Sequence, residues 1–541
     1  MKLNDRPWTS LYDEGVPATI EIPRISLVKL FIQSVKTYGE SVCTIFEGEA
    51  LTYQEIDALS DRVARYFVAM GLKKGQRVGI MLLNTPAFII SYFGILKAGG
   101  VVMALNPNYR PAEVEKLVIE SDVRILILSN SAYQEMMTLR SRTKIDTIVV
   151  VGSCNMLAKE DIFWEDLLKA YETGELVDVV VHPEDPAVFQ YSGGTTGTPK
   201  CAVGLHQNLV ANVYQFSYWL VNTEQGKEGV LIAIPLYHVY GMVLGMILAI
   251  KLGARMILIA NPRDLDGLLD AAETYHASIF PGVPNIYAAI NQYPPVLAGE
   301  YDLSSIKACI SGSTTLPFRV KKAFETLTHG HLVEGYGLSE APTATHCNPI
   351  LGENREGSIG LPLPNVDCRV VDIETGRIDV AVGEIGELII KGPQVMAGYH
   401  RRRRETDMVL RDDWLYTGDI VRMDRQGYFY IVDRKKDVIK VGGFQVWPNE
   451  IETVIMRHPK VREVAVAGVI DVDGTEVAKA WVVLQEGETS IADEIRSFCD
   501  PFLTHYKIPK YVAFRDSLPR TRVGKVLRRV LVSEHISSFG K

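Results

Sequence analysis

Short apolar runs alternate with longer amphipathic stretches up to about residue 430 of the chain. Val78–Leu82, Val101–Leu105, Ile125–Leu128 and Thr147–Val151 are brief, rich in β-branched residues and bounded by polar or turn residues. That pattern predicts buried strands. Pro86–Ala98, between the first two, has the length and character of a helix, and Gly99-Gly100 supplies its stop. Strand and helix in regular alternation predict an α/β class with mostly parallel layers.

The pattern changes near Asp433–Asp437. Gly427–Asp433 has the character of a hairpin strand. Beyond it lie a helix at Glu450–His458, strands at Val461–Val469 and Ala478–Leu484, and a helix at Ile491–Leu503. This is an α+β unit of about 100 residues, the size of a small domain. The expected division is a large N-terminal α/β domain of layered sheets and helices, 1–434, and a small mobile α+β domain, 435–541. The charged joint between them is short enough to act as a hinge rather than a loose tether. Leu231–Ile250 is apolar and close to membrane-spanning length. Pro235, His238, Gly241 and Gly245 interrupt it, so a strand, a turn and a buried helix are expected instead.

Composition narrows the function. With 47% hydrophobic and 23% charged residues, the chain has the make-up of an ordinary globular enzyme. A net charge of −8 argues against a nucleic-acid partner. The seven cysteines are odd in number and form no CxxC pair, which points to a reducing cytoplasm without a disulfide framework or zinc site. The polar start of the chain has no signal-peptide core.

The densest chemistry lies in Tyr191–Lys200. Ser192, Gly193, Gly194, Thr195, Thr196, Gly197, Thr198 and Lys200 combine glycines, hydroxyls and one cation. Glycines let the backbone approach a ligand, and successive N–H groups can cradle phosphate oxygens. This is not a Walker A loop, because Pro199 precedes the lysine and Cys201 follows it. Alone, the string is also compatible with a polar hairpin turn. Six further strings follow: Pro235–Gly241, Ser311–Pro317, Glu334–Glu340, Trp414–Asp419, Asp433–Pro448 and Leu518–Lys525. Singly, they have bland readings as well: a core histidine, glycine turns, a solvated charged face.

In this order, from about Leu51 to Val530, the strings resemble the adenylate-forming superfamily. That group includes acyl-CoA synthetases, luciferases and peptide-synthetase adenylation domains, and the chain is most similar to a fatty acid–CoA ligase. Gly193 and Cys201 depart mildly from the usual Ser and Gly. The resemblance implies an AMP-forming acid–CoA ligase that uses ATP, Mg2+ and coenzyme A on a small-molecule carboxylic acid. A medium- or long-chain fatty acid is expected. The alternatives are an aromatic or alicyclic acid, or delivery of the acyl group to a carrier protein.

Roles carry over by motif. Ser192–Thr198 and Lys200 would hold phosphates. Tyr336 would stack on adenine, Ser339 would contact the α-phosphate, and Glu340 with Thr195 would hold Mg2+. Gly312, Ser313, Glu334, Gly335 and Gly337 would border the nucleotide. Asp419 and Arg434 would reach the ribose, and Lys436 would be the hinge. Lys440 and Gln445 would contact the acyl-adenylate, with Gly442 and Gly443 beside the CoA arm. Tyr237, Val239, Tyr240, Gly241, Ser311, Ala341 and Pro342 would line the acid pocket, with His238 orienting the acid. Lys525 would be the catalytic lysine. The basic run Arg401–Arg404 is expected to be a solvated surface, which allows at most peripheral membrane contact. A monomer or homodimer is expected.

Overall fold

The computed structural model describes residues 6–174, 178–192, 199–441, 444–471, 474–521 and 524–539. Its first sheet contains the early expected strands. Arg77–Met81, Val101–Ala104, Ile125–Ser129 and Thr147–Val151 lie in register as parallel neighbours. Pro186–Ser192 joins parallel to Val101–Ala104, and Lys200–Leu205 returns antiparallel to it. The helix Pro86–Lys97 is apolar all round and buried along nearly its whole length, as a helix enclosed by neighbours must be. Its one buried cation, Lys97, is paired at 2.6 Å with both Asp57 and Asp61, which removes the cost of an isolated buried charge.

A second, nine-stranded sheet places the chemistry. Gly229–Ile232, Ile279–Gly282, Ala308–Ser311 and the first half of His331–Leu338 run parallel. The second half of His331–Leu338 leaves that parallel run and pairs antiparallel with Ala341–Cys347, toward one edge of the sheet. Ser311–Pro317 and Glu334–Glu340 therefore meet at the carboxyl ends of adjacent parallel strands, where α/β sheets bind their ligands.

Leu231–Ile250 resolves as strand, turn and helix, with a π-helical segment at Gly241–Ile247 that periodicity does not signal. No described helix is long and apolar enough to cross a membrane.

A smaller antiparallel sheet, Asp367–Val371, Ile385–Lys391 and Trp414–Met423, ends on Phe429–Arg434. The distinct C-terminal α+β domain follows. Val461–Ile470, Glu476–Leu484 and Tyr511–Phe514 form its sheet, and the helices Pro448–Ile455 and Ala492–Cys499 share its core. The first of these helices begins earlier than the expected Glu450 because Pro448 serves as its N-terminal residue.

Candidate active site

His238 sits in the turn after Gly229–Ile232. Its Nδ1 accepts the Tyr240 N–H at 3.2 Å. In the neutral ring, that bond puts the proton on Nε2. Burial, and then the charge of Lys525, bring its pKa down to about 4, so the ring is a neutral donor at physiological pH. The turn needs Gly241: a Cβ there would lie 2.3 Å from the Pro235 carbonyl oxygen. Tyr240 donates its hydroxyl to Ile310 O at 2.6 Å and lays its ring beside Gly312.

These groups face a cavity of about 80 Å³, lined by His238, Val239, Tyr240, Gly312, Ser339 and Lys525 among others. Leu244, Leu338, Thr343 and Ala344 line it too. Leu338 lies within the Glu334–Glu340 string and Thr343 closely follows it, while Leu244 and Ala344 carry no motif, only a position just beyond motif residues. Tyr237, Gly241, Ser311, Ala341 and Pro342 do not line the cavity. Ser311 and Ala341 are fully buried.

A larger cavity of about 360 Å³ shares Ser313, Gly335, Tyr336, Gly337 and Lys525 with the first. Asp419 and Arg434 are cross-strand partners, and Arg434 Nε meets Asp419 Oδ1 at 3.0 Å. The other Asp419 oxygen accepts the Tyr336 hydroxyl at 2.5 Å. A buried carboxylate is thus aimed between a guanidinium and an aromatic ring. Glu334, on the same wall, is buried and accepts the Leu316 N–H at 3.1 Å. Burial raises its pKa to about 8.

Lys525 reaches both cavities from the small domain. Its loop is a tight turn in which Thr521 N donates to Lys525 O at 2.7 Å, and Gly524 takes a φ of +83° that favours glycine. The ammonium is open to the cavity, yet protein surrounds it. Loss of solvent, followed by the charge of Arg434, lowers its pKa to about 8 against the opposing pull of Asp419 and Glu340.

On the phosphate side, Ser192 and Lys200 are antiparallel partners flanking the glycine-rich loop. Gly193, Gly194, Thr195, Thr196, Gly197 and Thr198 lie outside the described residues, as do Gly442 and Gly443. Lys200 Nζ stands 5.1 Å from the centre of the Tyr399 ring. The Tyr399 hydroxyl donates to Glu340 Oε1 at 2.8 Å. Tyr399, which no motif reading picked out, therefore joins the phosphate-loop lysine to the expected metal carboxylate. Among the described residues, no cluster of three or more His, Cys, Asp or Glu could hold a metal alone. The single carboxylate of Glu340 suits a cation that keeps water and phosphate oxygens as its other ligands.

Lys440 and Gln445 face each other across the Ile439–Val441/Phe444–Val446 hairpin, and neither lines either cavity. Lys436, exposed in the turn after Arg434, lines neither. Arg402 pairs with Glu120 at 2.8 Å, while Arg403 opens the exposed helix Arg403–Val409.

A pocket that sets an aromatic ring, a buried carboxylate and a cation around one point suits a nucleotide-dependent group-transfer enzyme. The AMP-binding enzyme model matches residues 31–400, and the AMP-binding enzyme C-terminal domain model matches 450–525; the chain belongs to this family. Its reaction is that of an AMP-forming acyl-CoA ligase. It is 38% identical to a long-chain-fatty-acid–CoA ligase of Bacillus subtilis (strain 168), over 98% of each chain. It superposes on ATP-bound MatB from Rhodopseudomonas palustris with a TM-score of 0.83 and 28% identity, covering 94% of this chain and 99% of that one. On an anthranilate CoA ligase, AuaEII, in complex with anthranoyl-AMP, the TM-score is 0.84 with 25% identity over 100% of both chains.

Proposed function

We propose that the protein joins a medium- or long-chain fatty acid to coenzyme A, with ATP as the activating substrate and an acyl-adenylate as intermediate. The observation that carries this is the convergence of His238, Tyr336, Asp419 and Lys525 on two joined cavities.

In the first half-reaction, the acid's carboxylate attacks the α-phosphorus of ATP and pyrophosphate leaves. Asp419, held by Arg434, accepts from the ribose hydroxyls, and Tyr336 offers its ring to the base. Neutral His238 donates Nε2–H toward the acid's carboxylate. Lys525 offsets the charge that builds between the reacting oxygens, the kind of aimed charge that lowers such barriers. Lys200 and the glycine-rich loop hold the departing phosphates. Mg2+, held by Glu340 and phosphate oxygens, would supply further charge neutralisation there.

In the second half-reaction, the thiol of coenzyme A gives up its proton and attacks the acyl carbonyl, the bond from the acyl carbon to the phosphate oxygen breaks, and AMP leaves as the thioester forms. Lys525 then occupies space that the thiol needs. We place the domain division at 434/435 and the hinge at Lys436, so that rotation withdraws Lys525 and presents the Lys440–Gln445 hairpin. Closure also keeps water from the adenylate.

A fatty acid is favoured by the identity, over nearly full length, to the Bacillus subtilis ligase. The cavity of about 80 Å³ takes the carboxyl end. A long chain requires the Leu244 face of the π-helical segment to yield. Met242 and Met246 in that segment are side chains that repack readily. An aromatic acid is the second reading, supported by the likeness to the anthranilate ligase. The test is pyrophosphate release with ATP across fatty, aromatic and dicarboxylic acids, with and without coenzyme A. Thioester formation fastest with fatty acids is expected. Best turnover of an aromatic acid would replace the substrate, and no pyrophosphate from any acid would remove the proposal.

A further inference from the structure

Arg528 belongs to none of the roles above. It is the first residue of the helix Arg528–Phe539, three residues beyond Lys525. Its Nη2 donates to both oxygens of Glu452, at 2.7 and 2.9 Å. Its Nη1 lies 3.5 Å from Asp437 Oδ2. Glu452 stands on the helix Pro448–Ile455 and also accepts the Val466 N–H at 2.7 Å. It is therefore a fixed post in the small domain. Asp437 closes the turn at the domain joint, where its N–H donates to Arg434 O at 2.9 Å. Arg434 in turn holds Asp419. One guanidinium thus touches the body of the small domain and the joint, and it sits in the chain directly behind the lysine loop. Arg528, Asp437 and Glu452 all line the larger cavity with Lys525.

The same joint is laced by Asp433, whose carboxylate accepts the N–H groups of Asn449 and Arg434, each at 2.8 Å. Those bonds run through the backbone and do not reach the lysine loop. Among the described residues, the side chain that joins the turn at Asp437 to the segment directly behind that loop is Arg528. One terminal nitrogen of the guanidinium holds the Glu452 carboxylate while the other reaches Asp437, a span across two carboxylates that a single ammonium would not reproduce.

We infer that Arg528 is a positioning residue for the adenylation half-reaction, tying the Lys525 loop to the hinge turn through Asp437 and Glu452 so that the lysine is held in its aimed position on the small domain. It touches no reacting atom in this role and acts through Lys525. The inference rests on the assignment of Lys525 to the first half-reaction.

Lys525→Ala, Arg528→Gln, their combination and Asp437→Asn test it. Pyrophosphate release is measured with ATP and dodecanoate, or benzoate if the acid panel favours it. Thioester formation is measured separately from the matching synthetic acyl-adenylate and coenzyme A. Arg528→Gln is expected to lower kcat for pyrophosphate release about a hundredfold, the loss that a misplacement of about 1 Å brings. Thioester formation should stay within about twofold, and the double variant should be no slower than Lys525→Ala, because residues acting as a unit are not additive. Asp437→Asn keeps the Glu452 grip and should give a smaller loss with the same selectivity. It decides the matter if Arg528→Gln does not fold. Equal loss of both half-reactions in the Arg528 or Asp437 variant, or multiplied losses in the double variant, would overturn the inference. If Lys525→Ala itself slows both half-reactions equally, the assignment of Lys525 falls with it. If Lys525→Ala separates them and Arg528→Gln does not, only the coupling falls.

Discussion

At the scale of single residues, the chemistry depends on small, specific geometries. In the proposed reaction Lys525 acts as a cation, and loss of solvent brings its pKa down to about 8. Pyrophosphate release by the wild type should therefore decline as pH rises through about 8, where the ammonium is lost. Lys525→Ala should abolish that step, and thioester formation from supplied acyl-adenylate should be spared; initial rates of each half-reaction against pH check both. Gly337 is the clearest case of backbone approach. A Cβ there would stand 1.6 Å from the Thr343 carbonyl oxygen, a contact with backbone that no rotamer relieves. Gly337→Ala should destabilise by at least the roughly 1–3 kcal/mol of ordinary overpacking, read as a lower urea midpoint, and should impair activity. The motif made Gly337 legible. Its contact with Thr343 was not, because the antiparallel return of the strand makes it.

At the scale of elements, one strand carries two environments. His331–Leu338 begins in the parallel sheet, where Glu334 is buried opposite Ser311, and ends in an antiparallel pair, where Tyr336 meets the cavities. Burial raises the Glu334 pKa from 4.5 to about 8. The folded state therefore keeps a proton that the unfolded chain gives up near pH 4.5. Stability from this group is fully present below about 4.5 and is lost progressively as pH rises to about 8. Glu334→Gln can still accept the Leu316 N–H and should lack this limb. Unfolding midpoints of both proteins between pH 4 and pH 9, roughly one unit beyond the window on the alkaline side, should diverge steadily and then run parallel. The four parallel strands between residues 77 and 151 and the helix Pro86–Lys97 were legible to within a residue, since burial on both faces leaves a local apolar signature. The π-helical segment was not, because its residues are buried all round and show no period.

At the scale of the molecule, the small domain turns one face to the cavities. Lys525 is on that face, while Lys440 and Gln445 are on the hairpin away from it. Lys440→Ala and Gln445→Ala should leave pyrophosphate release close to wild type and slow thioester formation; following both products in single-turnover reactions checks this. A matching loss in the first half-reaction would mean that the hairpin serves the orientation described here.

The sequence by itself determined the residue types, their order and the local elements that bear them. Glycines, apolar periods and charged motifs act through neighbours in the chain, so they can be read there. Only the tertiary structure decided which of them meet. Asp419 is placed by its strand opposite Arg434 and by the hydroxyl of Tyr336, 83 positions away in the chain. Tyr399 is placed between Lys200 and Glu340 by a short strand added to the first sheet. Arg528 finds Glu452 and Asp437 through the packing of the small domain. Such encounters follow from sheet order and register, which rest on the summed burial of distant segments and leave no mark on any one stretch of chain.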